Sequence, residues 1–295
     1  MLKLQGSLTA LATPLRQGRF DEEAYREHIE NQLREGTSGL VPIGTTGEAV
    51  TLSSGERARV VRVAVEAAKG RVPVVGGAGS NSTQATIESI AQVREAGADG
   101  ALVVTPYYNK PNQLGLLEHY RACARAHPGF PLVPYNVPGR TGCDLLPDTC
   151  LRLCELAEVV AVKEATGSMV RAVDIREKCG DRLTLLSGDD FTIAPFIAVG
   201  GEGVISVSSN VAPRHLAELV AAARASERAR ARDLQVELNA LHRLLFVEPN
   251  PIPVKWALHL LRRWSPELRL PLVPLGEPHA SALAAELRRL GLLRD

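Results

Sequence analysis

The sequence predicts an α/β fold: a (β/α)8 TIM barrel followed by a C-terminal helical extension. Eight short apolar runs rich in β-branched residues alternate with amphipathic segments as far as residue 207. Each strand–helix unit spans roughly 20–35 residues, which suits a closed parallel barrel. An open doubly wound sheet is the alternative, and it usually carries a Gly-rich phosphate loop after its first strand. The first strand here leads into residues 13–15 (TPL) without a GxGxxG motif, so the sequence favours the barrel.

The predicted strands share a short length and a high content of Val, Ile and Leu. In order they are Ser7–Ala12, Leu40–Ile43, Val72–Val75, Ala101–Val104, Leu132–Tyr135, Val159–Lys163, Leu183–Ser187 and Val204–Val207. Helices are predicted between the early strands over Glu22–Glu35, Gly55–Ala68 and Thr83–Ala96. Each of these helices follows an Asp, Ser or Asn residue that can cap its N-terminus, and each ends near a glycine.

After about Pro213 the pattern becomes helical only. Helices are predicted over Ala217–Leu245, Pro253–Arg263 and Ser281–Leu293, with Pro-rich joints between them. We therefore assign residues 1–225 to the catalytic barrel and residues 226–295 to a helical extension that packs on it.

Composition excludes several classes of partner. The net charge is +1, with 34 basic and 33 acidic residues, so no electrostatic footprint for nucleic acid or anionic lipid is expected. No basic start with a long apolar run marks a signal peptide, and no apolar stretch of 18 residues predicts a membrane span, so we expect a cytoplasmic protein. The seven histidines and five cysteines show no HExxH or CxxC pattern, so no metal site is expected.

Polar residues follow five of the predicted strands. Because the active site of such a barrel forms at the carboxyl ends of the strands, these residues are candidates for function. They occupy positions 44–48 (GTTGE), 105–108 (TPYY), 135–140 (YNVPGR), 163–164 (KE) and 187–190 (SGDD).

Lys163 is the most informative of them, since only six of the 34 basic residues are lysines. It closes the run Val159–Val162, and strand alternation places it on the same face as Val159 and Ala161. If that face lines the barrel, desolvation lowers the lysine pKa, and the neutral amine can attack a carbonyl to form a Schiff base. The competing interpretation is a strand-end lysine that reaches water or pairs with Glu164.

Other residues at the same rim suit a bound keto acid. The hydroxyls and backbone amides of Thr45 and Thr46 suit a small carboxylate, and the Tyr135 phenol can move protons. The planar guanidinium of Arg140 fits a second carboxylate bidentately. Singly, these are also compatible with an ordinary turn, a packing tyrosine and a surface arginine. Their coincidence with Lys163 at predicted strand ends favours a Schiff-base aldolase.

Long motifs, in matching order, make the chain resemble the 4-hydroxy-tetrahydrodipicolinate synthase (dihydrodipicolinate synthase) family over nearly its whole length. They are GTTGE at 44–48, VTPYYNKP at 104–111, YNVPGRTGCDLLP at 135–147, KEATG at 163–167, LLSGDD at 185–190, GVISV at 203–207 and FVEPNPIPVKWA at 246–257. That family belongs to the class I pyruvate-dependent aldolases. The resemblance implies that the chain condenses pyruvate with L-aspartate 4-semialdehyde in lysine and diaminopimelate biosynthesis. It also implies a homotetramer, built as a dimer of dimers, that needs no metal or organic cofactor.

The resemblance implies catalytic roles for four residues. Lys163 would carry the imine with pyruvate, and Tyr135 would shuttle protons. Thr45 would link Tyr135 to Tyr108, which would reach in from a neighbouring subunit.

It implies substrate-binding roles for four more. Thr46 would bind the pyruvate carboxylate, Ile205 would contact pyruvate through its backbone, and Gly188 would belong to the same substrate-binding set. Arg140 would hold the carboxylate of the semialdehyde.

Two alternatives remain open at this point. N-acetylneuraminate lyase shares the lysine, the tyrosine and the Gly-x-Thr-Gly-Glu turn, and other sugar-acid pyruvate aldolases are similar, but Arg140 and the pair Tyr107–Tyr108 favour the synthase. A barrel that has lost catalysis is the second alternative, and the filled catalytic positions argue against it.

The chain differs from the family pattern at the allosteric pocket, where lysine-inhibited members carry a glutamate and histidines. Here Ala85 stands at the place of the glutamate, and Ser54 and Arg57 stand at histidine places, while Asn81 and Tyr107 are retained. We therefore expect a degenerate lysine pocket.

Overall fold

Eight parallel strands form the centre of the computed structural model, which describes residues 2–261 and 264–293. The barrel strands are β1 (Gly6–Ala10), β2 (Gly39–Val41), β3 (Val75–Gly77), β4 (Gly100–Val104), β5 (Leu132–Asn136), β6 (Ala161–Glu164), β7 (Thr184–Ser187) and β8 (Gly203–Ser206). They are hydrogen-bonded in the order β2-β1-β8-β7-β6-β5-β4-β3, and a parallel bridge from Leu40 to Val74 joins the two ends. The predicted (β/α)8 barrel is confirmed.

Helices surround this sheet and continue beyond it. They are α1 (Glu22–Arg34), α2 (Ser54–Ala68), α3 (Thr83–Glu95), α4 (Gln113–Ala126), α5 (Pro138–Thr141), α6 (Pro147–Leu153), α7 (Met169–Cys179), α8 (Ile193–Ala198), α9 (Pro213–Arg224), α10 (Arg228–Leu244), α11 (Ile252–Leu260) and α12 (Glu277–Arg289). Short 3-10 turns occur at Gly180–Arg182, Asp190–Thr192 and Ser208–Asn210. The sequence did not predict a small hairpin of Leu15–Arg16 with Arg19–Phe20. No helix in the described ranges is both long and apolar enough to cross a membrane.

The first three helices begin and end where the capping signals predicted. Asp21 Oδ1 accepts a hydrogen bond from Ala24 N at 3.2 Å, and Ser53 forms a capping box with Glu56 before α2. Gly36, just past α1, has φ +94°, a left-handed conformation that glycine adopts without steric cost. Because the caps satisfy backbone groups that the helix leaves unpaired, they fix the lengths of the barrel units.

The C-terminal helices differ from the prediction in two respects. The helix predicted over Ser281–Leu293 is observed four residues earlier, as α12 (Glu277–Arg289). The single helix predicted over Ala217–Leu245 is wrong, because the chain breaks into α9 and α10 at Ser226, whose φ is +60°. No glycine or proline marks this break in the sequence. The helix predicted over Pro253–Arg263 is observed as α11, and its last two predicted residues lie outside the described ranges.

The core has three connected parts. The barrel interior contains Leu8, Val41, Val75, Leu102, Val133, Tyr135, Ala161, Leu186 and Ile205. A second layer lies between the strands and the outer helices. The third part contains Val204 of β8 and Val207, which follows this strand, together with Leu238 of α10 and Leu283 of α12. The extension therefore shares a core with the barrel. Burial of each such Val or Leu side chain contributes about 1.5–3 kcal/mol.

Candidate active site

Lys163 lies at the carboxyl end of β6 and is only 5% exposed. As predicted, it shares the interior face with Ala161; the expectation for Val159 is wrong, because that residue precedes β6 and packs in the outer layer. Burial lowers the pKa of the Lys163 amine to about 8, with the Asp190 carboxylate opposing the shift and Arg140 adding to it. At pH 7.5 roughly a quarter of such amines are neutral and nucleophilic.

Glu164, the competing partner of Lys163, points to the other side of β6. Its carboxylate accepts hydrogen bonds from Asn136 Nδ2 at 2.9 Å and Thr166 N at 2.7 Å, and it lies 3.9 Å from Arg171. Successive residues of a strand face opposite ways, so Glu164 is held between the sheet and α7. Pairing of Lys163 with Glu164 is therefore not observed.

Tyr135 lies beside the amine. It is paired in register with Lys163, and the Lys163 Nζ is 4.2 Å from the centroid of its ring. Burial raises the pKa of the Tyr135 phenol, while the charge of Arg140 and a hydrogen bond with Thr45 hold that rise back. The phenol is therefore protonated at neutral pH and can donate a proton next to the amine.

A cavity of about 160 Å³ opens beside Tyr135. Its lining includes Thr45, Tyr107, Tyr135 and Arg140, together with apolar side chains such as Leu102. The structure thus brings Thr45, Tyr135 and Arg140, which the sequence proposed for substrate chemistry, to one cavity. Ile205 is buried in β8, opposite Leu8 in the register of the sheet.

Gly188 follows β7 and packs directly against the lysine. A Cβ atom at this position would lie 2.9 Å from Lys163 Cε and 2.6 Å from Ala165 Cβ. Both distances are shorter than normal carbon contacts, so the absence of a side chain gives Lys163 its room. Contact of Gly188 with substrate stays a prediction.

The GTTGE turn is held by the C-terminal extension, which the sequence reasoning did not foresee. Asn250 Nδ2 donates a hydrogen bond to Thr46 Oγ1 at 3.0 Å. Glu48 has φ +53° and a buried carboxylate, which accepts from Lys255 Nζ at 2.5 Å and from Arg269 N at 3.1 Å. A buried carboxylate without such hydrogen-bond and ion-pair partners is costly. The extension therefore fixes the turn that carries both threonines.

Asp190 also belongs to the site, although the sequence analysis noted it only as part of the SGDD motif. It is 2% exposed, and its Oδ2 accepts hydrogen bonds from Val207 N at 3.1 Å and Ser208 N at 2.9 Å. The charge of this carboxylate raises the pKa of Lys163 against the larger effect of burial. Only the position of Asp190 in the SGDD motif after a strand could have indicated it.

Tyr108 lies away from the cavity of its own chain. Its side chain is 88% exposed, and its backbone has φ +73° with the amide donating to Thr141 O at 3.3 Å. A single chain therefore does not bring Tyr108 to Thr45. The relay through a neighbouring subunit stays a prediction.

The residues of the expected lysine pocket fall on three neighbouring segments. Arg57 and Tyr107 line the same cavity as Thr45. Ala85 lies in the first turn of α3, where its amide donates to the capping Ser82 Oγ. Ser54 begins α2 and is exposed.

Asn81, the remaining retained residue of that pocket, accepts a hydrogen bond from Asn109 Nδ2 through its backbone oxygen at 2.8 Å. Among the residues that the structure describes, no group of three or more His, Cys, Asp or Glu is arranged to hold a metal ion.

Comparison with known proteins identifies the family. Residues 3–290 match the model of the dihydrodipicolinate synthetase family. The chain belongs to this family. It is 53% identical to the 4-hydroxy-tetrahydrodipicolinate synthase of Anaeromyxobacter sp. (strain Fw109-5) over 99% of both chains. It is 50% identical to that of Nitratidesulfovibrio vulgaris (strain DP4), over 99% of this chain and 100% of that protein.

Solved structures of family members agree with the fold. The chloride-inhibited dihydrodipicolinate synthase of Acinetobacter baumannii, complexed with pyruvate, superimposes with a TM-score of 0.97 at 42% identity, covering 99% of this chain and 100% of that one. A monomeric dihydrodipicolinate synthase variant superimposes with a TM-score of 0.96 at 40% identity, covering 98% and 97%. The family resemblance stated from the motifs is therefore confirmed.

Proposed function

We infer that this chain is a 4-hydroxy-tetrahydrodipicolinate synthase, a lyase that condenses pyruvate with L-aspartate 4-semialdehyde. The observation that carries this conclusion is the buried Lys163 amine, with a pKa of about 8, 4.2 Å from the Tyr135 ring. An amine lowered to this range reacts with a ketone near neutral pH, whereas an exposed lysine is almost fully protonated. Relatives about 50% identical over the whole chain carry the same name.

In the proposed first half-reaction, Lys163 Nζ attacks the C2 carbonyl carbon of pyruvate. Tyr135 donates a proton to the carbinolamine hydroxyl, which leaves as water and gives the imine. The Thr46 hydroxyl holds the pyruvate carboxylate, and Ile205 contacts pyruvate through its backbone. The protonated imine then withdraws electrons from C3, so loss of a C3 proton to Tyr135 gives an enamine.

In the second half-reaction, the enamine carbon attacks the aldehyde carbon of the semialdehyde. Tyr135 returns its proton to the new alkoxide, and the Thr45 hydroxyl connects Tyr135 to Tyr108 of a neighbouring subunit. Arg140 binds the carboxylate of the semialdehyde. Attack of the substrate amine on the imine carbon closes the ring and releases Lys163, so no external oxidant or reductant is needed.

The proposal retains the homotetramer, a dimer of dimers, that the family resemblance implies. The exposed Tyr108, outside the cavity of its own chain, supports a contact with a neighbouring subunit. It also retains a cytoplasmic location, to which the five unpaired cysteines of the described chain are suited.

A substrate test distinguishes this function from its alternatives. The purified chain should form the condensation product from pyruvate and L-aspartate 4-semialdehyde, detected by mass spectrometry, and should release no pyruvate from N-acetylneuraminate. Cleavage of N-acetylneuraminate without condensation would make it a sugar-acid aldolase. If borohydride traps no pyruvate adduct at all, the barrel is not a pyruvate aldolase.

L-Lysine is expected to inhibit this enzyme weakly or not at all. Ala85 supplies no carboxylate for a lysine ammonium, and the guanidinium of Arg57 lines the neighbouring cavity and repels cations. Glu88 and Glu48 are the two carboxylates that could restore the charge balance. Glu48 is not free to do so, because Lys255 and the Arg269 amide hold its buried carboxylate. Loss of one partner for a buried charge costs about 3–5 kcal/mol, or at least a hundredfold in affinity. Initial rates over rising lysine concentration measure the effect.

A double variant provides the matched comparison. Ala85→Glu with Arg57→His restores an anion and removes a cation, so it should respond to lower lysine concentrations than the wild type. Strong inhibition of the wild type at sub-millimolar lysine would contradict the prediction.

A further inference from the structure

Asn250 lies between the two proposed carboxylate sites. Its side-chain Nδ2 donates to Thr46 Oγ1 at 3.0 Å, and its backbone oxygen accepts from Arg140 Nη2 at 3.4 Å. The residue is 6% exposed, although it belongs to the Pro-rich joint that precedes α11. One residue of the extension thus contacts the groups proposed to bind the carboxylates of both substrates.

The contact with Thr46 has a fixed direction. An amide nitrogen can only donate a hydrogen bond, so the Thr46 oxygen is the acceptor in this pair. The single hydroxyl proton of Thr46 therefore points elsewhere. Thr46 is 2% exposed, so water does not readily take that proton. A carboxylate has only acceptors and is suited to it.

The backbone around Asn250 is held in place, while the side-chain Oδ1 of Asn250 is buried without a hydrogen-bond partner among the described residues. Lys255, five residues after Asn250, forms the buried pair with Glu48 at the end of the same turn. Ile252 N donates to Pro249 O at 2.9 Å and closes the backbone around Asn250. The turn and the extension therefore meet at two points, Asn250–Thr46 and Lys255–Glu48, which fixes the backbone that carries the amide beside Thr46.

We propose that Asn250 is a positioning residue that directs the Thr46 hydroxyl proton to the carboxylate of pyruvate. This inference rests on the proposed function, because it needs pyruvate to be the ligand of Thr46. The side chain contacts Thr46 of the pyruvate site, while the contact with Arg140 uses the backbone oxygen and does not require the Asn250 side chain. Side-chain changes should therefore separate the two substrates.

Two variants test the direction of the hydrogen bond. Asn250→Leu removes the donor at similar volume and should raise the pyruvate KM about 3- to 10-fold. Asn250→Asp replaces the donor by an anionic acceptor, which takes the Thr46 proton and repels the pyruvate carboxylate, and should raise that KM about 30-fold or more. The semialdehyde KM should stay within about twofold of the wild-type value in both variants.

A structural role alone would behave differently. In a Thr46→Val background, Asn250→Leu should cause no further rise in the pyruvate KM, because the hydroxyl through which it acts is gone. An equal rise in both backgrounds, or a rise in both substrate KM values, would overturn the inference. Thermal unfolding of each variant identifies a folding defect, and a variant that loses its folded signal is replaced by Asn250→Ala, which also lacks the donor and must show the same split between substrates.

The wild type serves as the reference for the function itself. If it forms a borohydride-trapped pyruvate adduct while Asn250→Asp has an unchanged pyruvate KM, only the role of Asn250 is wrong. If the wild type forms no adduct, the proposed function fails instead.

Discussion

Lys163→Ala is expected to lose the pyruvate adduct and nearly all turnover, by at least ~1000-fold in kcat/KM, because no other group replaces the covalent bond to C2. With pyruvate and borohydride, the wild type should gain the mass of a reduced pyruvyl group on the peptide that contains Lys163. Lys163→Arg should be equally inactive, since a guanidinium keeps its proton and cannot act as the nucleophile.

The exposed Lys110 is the matched control, because Lys110→Ala removes an amine without touching the buried lysine. This variant should keep the adduct and its rate of formation. Lys255 is buried but paired with Glu48, so its amine is not available to a ketone. An adduct that maps to Lys255 or Lys110 would show that the nucleophile has been misassigned.

The pH dependence of trapping gives an independent measurement on the same amine. Burial lowers the Lys163 pKa to about 8, and the neutral form is the nucleophile, so the rate should rise with pH and level off above about 8. A lysine with an ordinary pKa of 10.5 would still be gaining rate at pH 9. A profile that keeps rising to that pH would contradict a desolvated amine.

Local patterns marked Lys163 as a candidate nucleophile but left its pairing with Glu164 open. Its apolar run, strand alternation and place at a strand end put the side chain on the barrel interior, and all three are properties of a few consecutive residues. The capped helices α1, α2 and α3 were predictable for the same reason, since a cap and its helix are neighbours in the chain.

The contacts that hold the active-site turn could not be predicted in this way. Asn250 and Thr46 are 204 residues apart, and Lys255 and Glu48 are 207 apart. No periodicity connects such pairs, because their distance is set by how the extension packs on the barrel. The motif FVEPNPIPVKWA marked the segment through resemblance alone, without indicating what its polar residues contact.

The break at Ser226 and the position of Tyr108 have related explanations. Ser226 adopts φ +60° without being a glycine, so tertiary packing of α10 against α9 overrides its local preference. Tyr108 is directed out of its own chain, and only a second subunit could complete a site that uses it. Neither feature is encoded in a short window of sequence.

Arg140→Ala is expected to raise the semialdehyde KM and lower kcat/KM for that substrate, while imine formation with pyruvate survives. A guanidinium holds a carboxylate through two parallel charge-assisted hydrogen bonds, and their loss costs about 2–5 kcal/mol. Arg140 is exposed in the free chain, so we expect the lower end of this range, roughly 30-fold. Steady-state rates with each substrate varied in turn measure the effect.

Arg140→Lys separates charge from shape. An ammonium keeps the charge but lacks the planar fork, so this variant should recover only part of the loss. The charge of Arg140 also contributes to the low pKa of Lys163, so Arg140→Ala should move the pH midpoint of pyruvate trapping upward and Arg140→Lys should move it less. An anchor for the aldehyde substrate must leave the first half-reaction intact. If imine formation fails in Arg140→Ala while the semialdehyde KM is unchanged, Arg140 serves the pyruvate site instead.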